Sequence, residues 1–186
     1  YERIGGGLGL NLGVGRMVHP NFGIELSTTM QLGNAFKTDF DHIKTQTVHS
    51  VGSLIIQAPI GKSYIYAKAG IVVGYDYRVT NFPSEGGYYN AKTTLMRGFN
   101  GSLGMIVPVS NRFSLMFEAE EISIQGQLKE GFLQAGDPSA ANWVHWVEDI
   151  NKTSPDPAIT TRKAFPIAFS CIGVNFGFHY SFSSRK

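Results

Sequence analysis

Five ionisable residues stand among apolar or small neighbours, where a charge needs a partner: Glu25 in "GIELS", Lys68 in "YAKAG", Glu118 and Glu120 in "FEAEE", and His179 in "GFHYS". Two carboxylates one residue apart can act as a catalytic pair, or as steps of a proton or ion path. They can equally be neutralised in a buried network of salt bridges and hydrogen bonds, since a buried charge must be paired. Other chemistry is poorly served. His42, His49, His145 and His179 are scattered, which makes a histidine metal site a poor fit. His49 and Ser50 are ordinary members of one segment and offer no Ser–His pair. Cys171 permits no internal disulfide and no thiolate cluster; lying within "AFSCIGVNFGF", it reads as a small packing residue sooner than a nucleophile. The opening "IGGGLGLNLGVG" lacks the dinucleotide fingerprint, because Leu12 falls where the third glycine belongs and no helical pattern follows. No catalytic, cofactor-binding or metal-ligating residue is expected.

The same glycines show what positions the charges. Gly5, Gly7, Gly9, Gly13 and Gly15 occupy odd positions with Asn11, while Ile4, Leu8, Leu10, Leu12 and Val14 occupy even ones. A period of two is the signature of a strand. Seven such segments follow one another, at about 4–18, 22–33, 47–60, 63–79, 93–109, 112–127 and 163–182. Short turns "HPN", "GK" and "SN" join the first and second, third and fourth, and fifth and sixth. The remaining connections are long and polar, the last of them an outer loop at about 128–162 within a single domain spanning 1–186. That loop carries Trp143 and Trp146 in "NWVHWVED", placed to anchor a binding partner, to fold over a rim or to dip into lipid headgroups.

Composition narrows the class. Charged residues are 16%, against about 25% in soluble domains, and 22 of the residues are glycine. No apolar run approaches the ~18 residues of a membrane helix. A net charge of +2, with basic residues scattered, gives no nucleic-acid role. Short turns alternating with long loops, and strands of about 12 residues, fit an antiparallel barrel that spans a bilayer. Facing matters most. In the second segment Gly23, Glu25, Ser27, Thr29 and Gln31 oppose Phe22, Ile24, Leu26, Met30 and Leu32. In the last, Cys171, Gly173, Asn175, Gly177 and His179 oppose Ile172, Val174, Phe176, Phe178, Tyr180 and Phe182. The small, polar face suits a narrow packed lumen, and the opening glycines make room there for side chains from the opposite wall. The apolar face suits lipid, with aromatic girdles at Phe22, Phe113, Tyr75, Tyr77, Tyr180 and Phe182. By parity Glu25, Lys68, Glu118, Glu120 and His179 all point inward, unless a bulge in "EAEE" shifts the phase.

The terminal run "VNFGFHYSF" resembles the closing strand of bacterial outer-membrane barrels, and "HPNFGIELSTTMQLG" and "YIYAKAGIVVGYDY" resemble hairpin strands of the small OmpA-like and opacity-protein-like barrels. The resemblance implies an all-β, antiparallel, up-and-down transmembrane barrel of eight strands in the bacterial outer membrane, with long loops outside and short turns periplasmic. It implies a closed lumen filled by side chains, with no conducting pore, and a structural, surface-interaction or accessory role in an outer-membrane assembly. The expected partners are outer-membrane lipid and other outer-membrane or periplasmic proteins, with no cofactor. A lipid-A-modifying enzyme is the runner-up, and a soluble lipocalin-like carrier the third reading. Seven segments leave the count odd. An eighth strand taken from around 143–149 would reverse the last segment, so the expectation is one strand preceding Tyr1, or one supplied by another chain.

Overall fold

The computed structural model describes residues 7–37, 42–82, 87–134, 141–147, 159–164 and 166–182. All of the regular structure there is β: β1 (Gly7–His19), β2 (Phe22–Lys37), β3 (His42–Ile60), β4 (Ser63–Phe82), β5 (Gly87–Thr93), β6 (Met96–Pro108), β7 (Phe113–Gln134), β8 (Ala141–Val147), β9 (Ile159–Lys163) and β10 (Pro166–Tyr180). No helix among the described residues is long and apolar enough to cross a membrane. The body is an antiparallel, up-and-down sheet of seven strands, β1-β2-β3-β4-β6-β7-β10, curled into a half-barrel. Each of the seven expected segments supplies one of its strands. Residues 1–6, which include the expected start at Ile4, lie outside the described residues.

The short turns form where Gly, Pro, Asn and Ser break the alternation. Between β3 and β4 only Gly61 and Lys62 intervene, and Gly61 has φ 60°, the conformation that a two-residue hairpin turn reserves for glycine. Between β6 and β7 the Ser110 hydroxyl accepts hydrogen bonds from the Phe113 N–H at 3.1 Å and the Arg112 N–H at 3.4 Å.

Two expectations need correction. The segment 128–162 is no plain loop: β7 runs on to Gln134, β8 pairs antiparallel with that extension, and β9 pairs parallel with β8. Both tryptophans therefore belong to a strand, Trp143 opposite Phe132 and Ile159, Trp146 opposite Arg162. Their side chains lie outside the described residues, as does that of Tyr77. A strand here leaves the direction of β10 unchanged, because β8, β9 and β10 all run opposite to β7. The second polar connection likewise contains β5, which continues β6 beyond a break at Thr94 and Leu95 and pairs with β4 and β7. The parity expectation for "EAEE" holds, since the stretch contains no bulge. Register with β6 and β10 is unbroken from Ser114 to Gln125, so Glu118 and Glu120 keep their inward phase.

Unbroken phase has a second consequence. Past Glu120 the polarity of β7 inverts: Ile122 and Ile124 turn inward and are buried, while Glu121, Ser123 and Gln125 face out. The concave side thus has two tiers. Toward the turns lies a polar tier; toward the loops Val51, Val72, Met96, Ile122 and Ile124 form an apolar one, with Val72 and Met96 fully buried.

Candidate functional site

The polar tier is built on Lys68. From β4 its Nζ reaches Glu25 Oε1 on β2 at 2.7 Å and Glu118 Oε2 on β7 at 2.9 Å, so one ammonium ties together strands on either side of it. The stem passes near Tyr66, whose ring centroid is 5.2 Å from Nζ. Glu118 Oε2 also accepts from the Tyr66 hydroxyl at 2.8 Å and the Ser102 hydroxyl at 3.1 Å, and its Oε1 accepts from Asn175 Nδ2 at 3.2 Å. Glu120 is held by two amides, Asn100 Nδ2 at 2.7 Å and Asn175 Nδ2 at 2.8 Å.

Four of the five residues singled out by parity are therefore brought together: Glu25, Lys68, Glu118 and Glu120. His179 does not occupy that cluster; it lies nearer the turns, exposed and opposite Ser114, and Asn175 takes the β10 position in the network. Sequence reasoning missed Tyr66, Asn100 and Ser102 as partners. Strand parity was the available signal, since Tyr66 shares the face of Lys68, and Asn100 and Ser102 share that of Gly98 and Gly104.

Chemically, Glu118 is a crosslink. Four donors reach its two oxygens from β4, β6 and β10, three of them on Oε2, and tie those strands to β7. His49 and Ser50 are separated by the sheet itself. His49 is buried on the concave side, 2% exposed, and neither ring nitrogen has a hydrogen-bond partner among the described residues. Ser50 points to the convex side and shares a 2.9 Å hydrogen bond with Thr28. Cys171 is a free thiol facing inward, opposite Ile122.

Several inward glycines make room for neighbours on the adjacent strand, whereas Gly173 faces open space. Tyr66 lies across Gly104, its register partner on β6, and a Cβ at Gly104 would meet the Tyr66 ring and come within 2.6 Å of the Phe117 carbonyl oxygen. On β1, a Cβ at Gly13 would stand 3.1 Å from Ser27 Cβ on β2. Gly104→Val should therefore push Tyr66 off Glu118 and destabilise the fold by about 1–3 kcal/mol, read as a lower denaturation midpoint. An unchanged midpoint would show that Tyr66 does not need the groove over Gly104.

Compared with known proteins, the chain matches no family model, no curated protein and no solved structure.

Proposed function

We propose that this chain is an integral β-sheet protein of the bacterial outer membrane, of the OmpA-like kind. Its convex face meets lipid, its lumen is packed with side chains, and its long-loop end serves a structural, surface-interaction or accessory role. The observation that carries the reading is the combination of a charged, hydrogen-bonded concave face with a bare apolar convex one. Leu8, Leu103, Ile172, Phe176 and Phe178 are each between 69% and 83% exposed on the convex side. A water-facing surface does not leave large contiguous apolar patches uncovered.

The dimensions support it. Apolar residues alternate on the convex side from Ile172 to Tyr180 on β10 and from Ile65 to Val73 on β4. At ~3.3 Å per residue and ~40° tilt each covers roughly 20 Å along the axis, near the ~25 Å apolar band of outer-membrane barrels. Polar groups return at the loop ends of those runs, with Glu121 opposite Ile172 and Arg97 opposite Val73. At the turn end Phe113, Tyr180 and Phe182 stack edge to face, with centroids 5.4 and 5.3 Å apart, as an interfacial girdle would. Within the band, the Thr28 and Ser50 hydroxyls satisfy one another.

Flotation of the purified protein with liposomes tests the reading directly. Co-migration with lipid that resists high salt and carbonate is expected. Protein that remains in the aqueous fraction without detergent would favour the carrier reading instead.

A further inference from the structure

β1 and β10 are both free edges among the described residues: β1 pairs only with β2, and β10 only with β7. Six antiparallel steps separate them, so the two edges run in the same direction, from the loop side to the turn side. Direct closure of β1 on β10 would create a single parallel pair in an otherwise antiparallel sheet. One strand running the other way is antiparallel to both.

The lumen beside those edges is open and unbalanced in charge. β1 presents Gly9, Asn11, Gly13 and Gly15 inward, and β10 presents Cys171, Gly173, Asn175 and Gly177. A Cβ at Gly173 would meet nothing within 4 Å, and one at Gly177 would meet only Met116 Cε, at 3.2 Å. Nearby, the three carboxylates of Glu25, Glu118 and Glu120 face the single ammonium of Lys68. Glu120 has no cation partner among the described residues, and its two amide donors leave about half of its acceptor capacity unused. Asn175, which holds both Glu118 and Glu120, lies on the edge strand itself.

We infer that the gap between β1 and β10 is a docking site for one added partner strand. That strand runs from the turn side to the loop side, with apolar residues facing out and an arginine or lysine facing in beside Asn175 to pair with Glu120. Arginine fits best, because its planar fork can take the remaining carboxylate lone pairs together. A second copy of this chain does not fit. Pairing β1 with its counterpart turns one copy upside down relative to a bilayer, and pairing β1 with the other copy's β10 is parallel. The inference rests on the bilayer reading for that exclusion of an inverted copy and for the apolar outer face and length of the added strand.

The test uses the full chain in detergent micelles and two labelled peptides of about eleven residues, alternating leucine with small polar residues. One peptide carries arginine at its central inward position and the other glutamate. Fluorescence anisotropy reads binding, and site-resolved amide exchange reads protection. The arginine peptide is expected to bind on the order of tenfold more tightly than the glutamate peptide, to slow exchange along both β1 and β10, and to lose most of that preference against Glu120→Gln. Equal binding of the two peptides, protection of one edge alone, or slow exchange at both edges before any peptide is added would each overturn the inference. So would edge protection that appears only with protein dimerisation. Flotation measured in parallel keeps the readings apart: a chain that binds the arginine peptide yet fails to float refutes the bilayer reading and leaves the docking site standing.

Discussion

Lys68→Met is expected to lower the stability of the folded protein by about 3–5 kcal/mol, the cost of removing one partner from a buried ion pair and leaving the other charges uncompensated. The lysine side chain is 9% exposed, and Glu118, the more deeply buried of its two partners, is 4% exposed. Methionine matches the stem in length, so the loss reports charge more than volume. With Nζ gone, Glu25 and Glu118 face each other across β3, β4 and β6 without a cation. The measurement is the urea midpoint in detergent or lipid, taken beside the triple variant Lys68→Met, Glu25→Gln, Glu118→Gln. Removing all three charges should restore much of the loss, since neutral amides in place of the carboxylates abolish the uncompensated repulsion. A midpoint unchanged in the single variant would mean that the network around Lys68 does not hold β2, β4 and β7 together.

The second large effect belongs to the convex face. Leu103 lies near the middle of β6, 69% exposed, between Ala67 on β4 and Ala119 on β7. Leu103→Arg should cost on the order of 2–4 kcal/mol in a lipid bilayer, where a guanidinium at mid-depth has no water to solvate it. The same substitution on a water-exposed strand position falls within about 0.5 kcal/mol. Folding yield and denaturation midpoint in liposomes therefore separate the two environments. A penalty confined to the smaller range would place Leu103 in water and remove the main support for the membrane reading.

Much of this was legible in one dimension because a strand's facing is local. Side chains alternate whatever the strand pairs with, so the inward placement of Glu25, Ser27 and Thr29 on β2, and of Gly173 and Asn175 on β10, follows from counting by twos. Turn chemistry is equally local, and Gly61 marks its hairpin without reference to anything distant. The strands within the long connections were not legible. β5, β8 and β9 are short, and what holds them is pairing: β5 between the loop-side ends of β4 and β7, β8 on the same extension of β7, and β9 on β8.

By itself the sequence determined the strand period, the inward set of charges and the positions of the short turns, because each depends on residues within a few positions of one another. Only the tertiary structure decided which charges meet. Lys68 joins Glu25 and Glu118 from strands far apart in the chain, Tyr66 reaches Glu118 by lying over Gly104, and Asn175 comes from β10 to bridge Glu118 and Glu120. Tertiary structure also decided that Ile122 and Ile124 turn inward beneath the loops, and that β1 and β10 remain apart as two edges of the same direction. These facts depend on register and curvature. Both arise from pairing between distant segments, which alternation along a single strand does not encode.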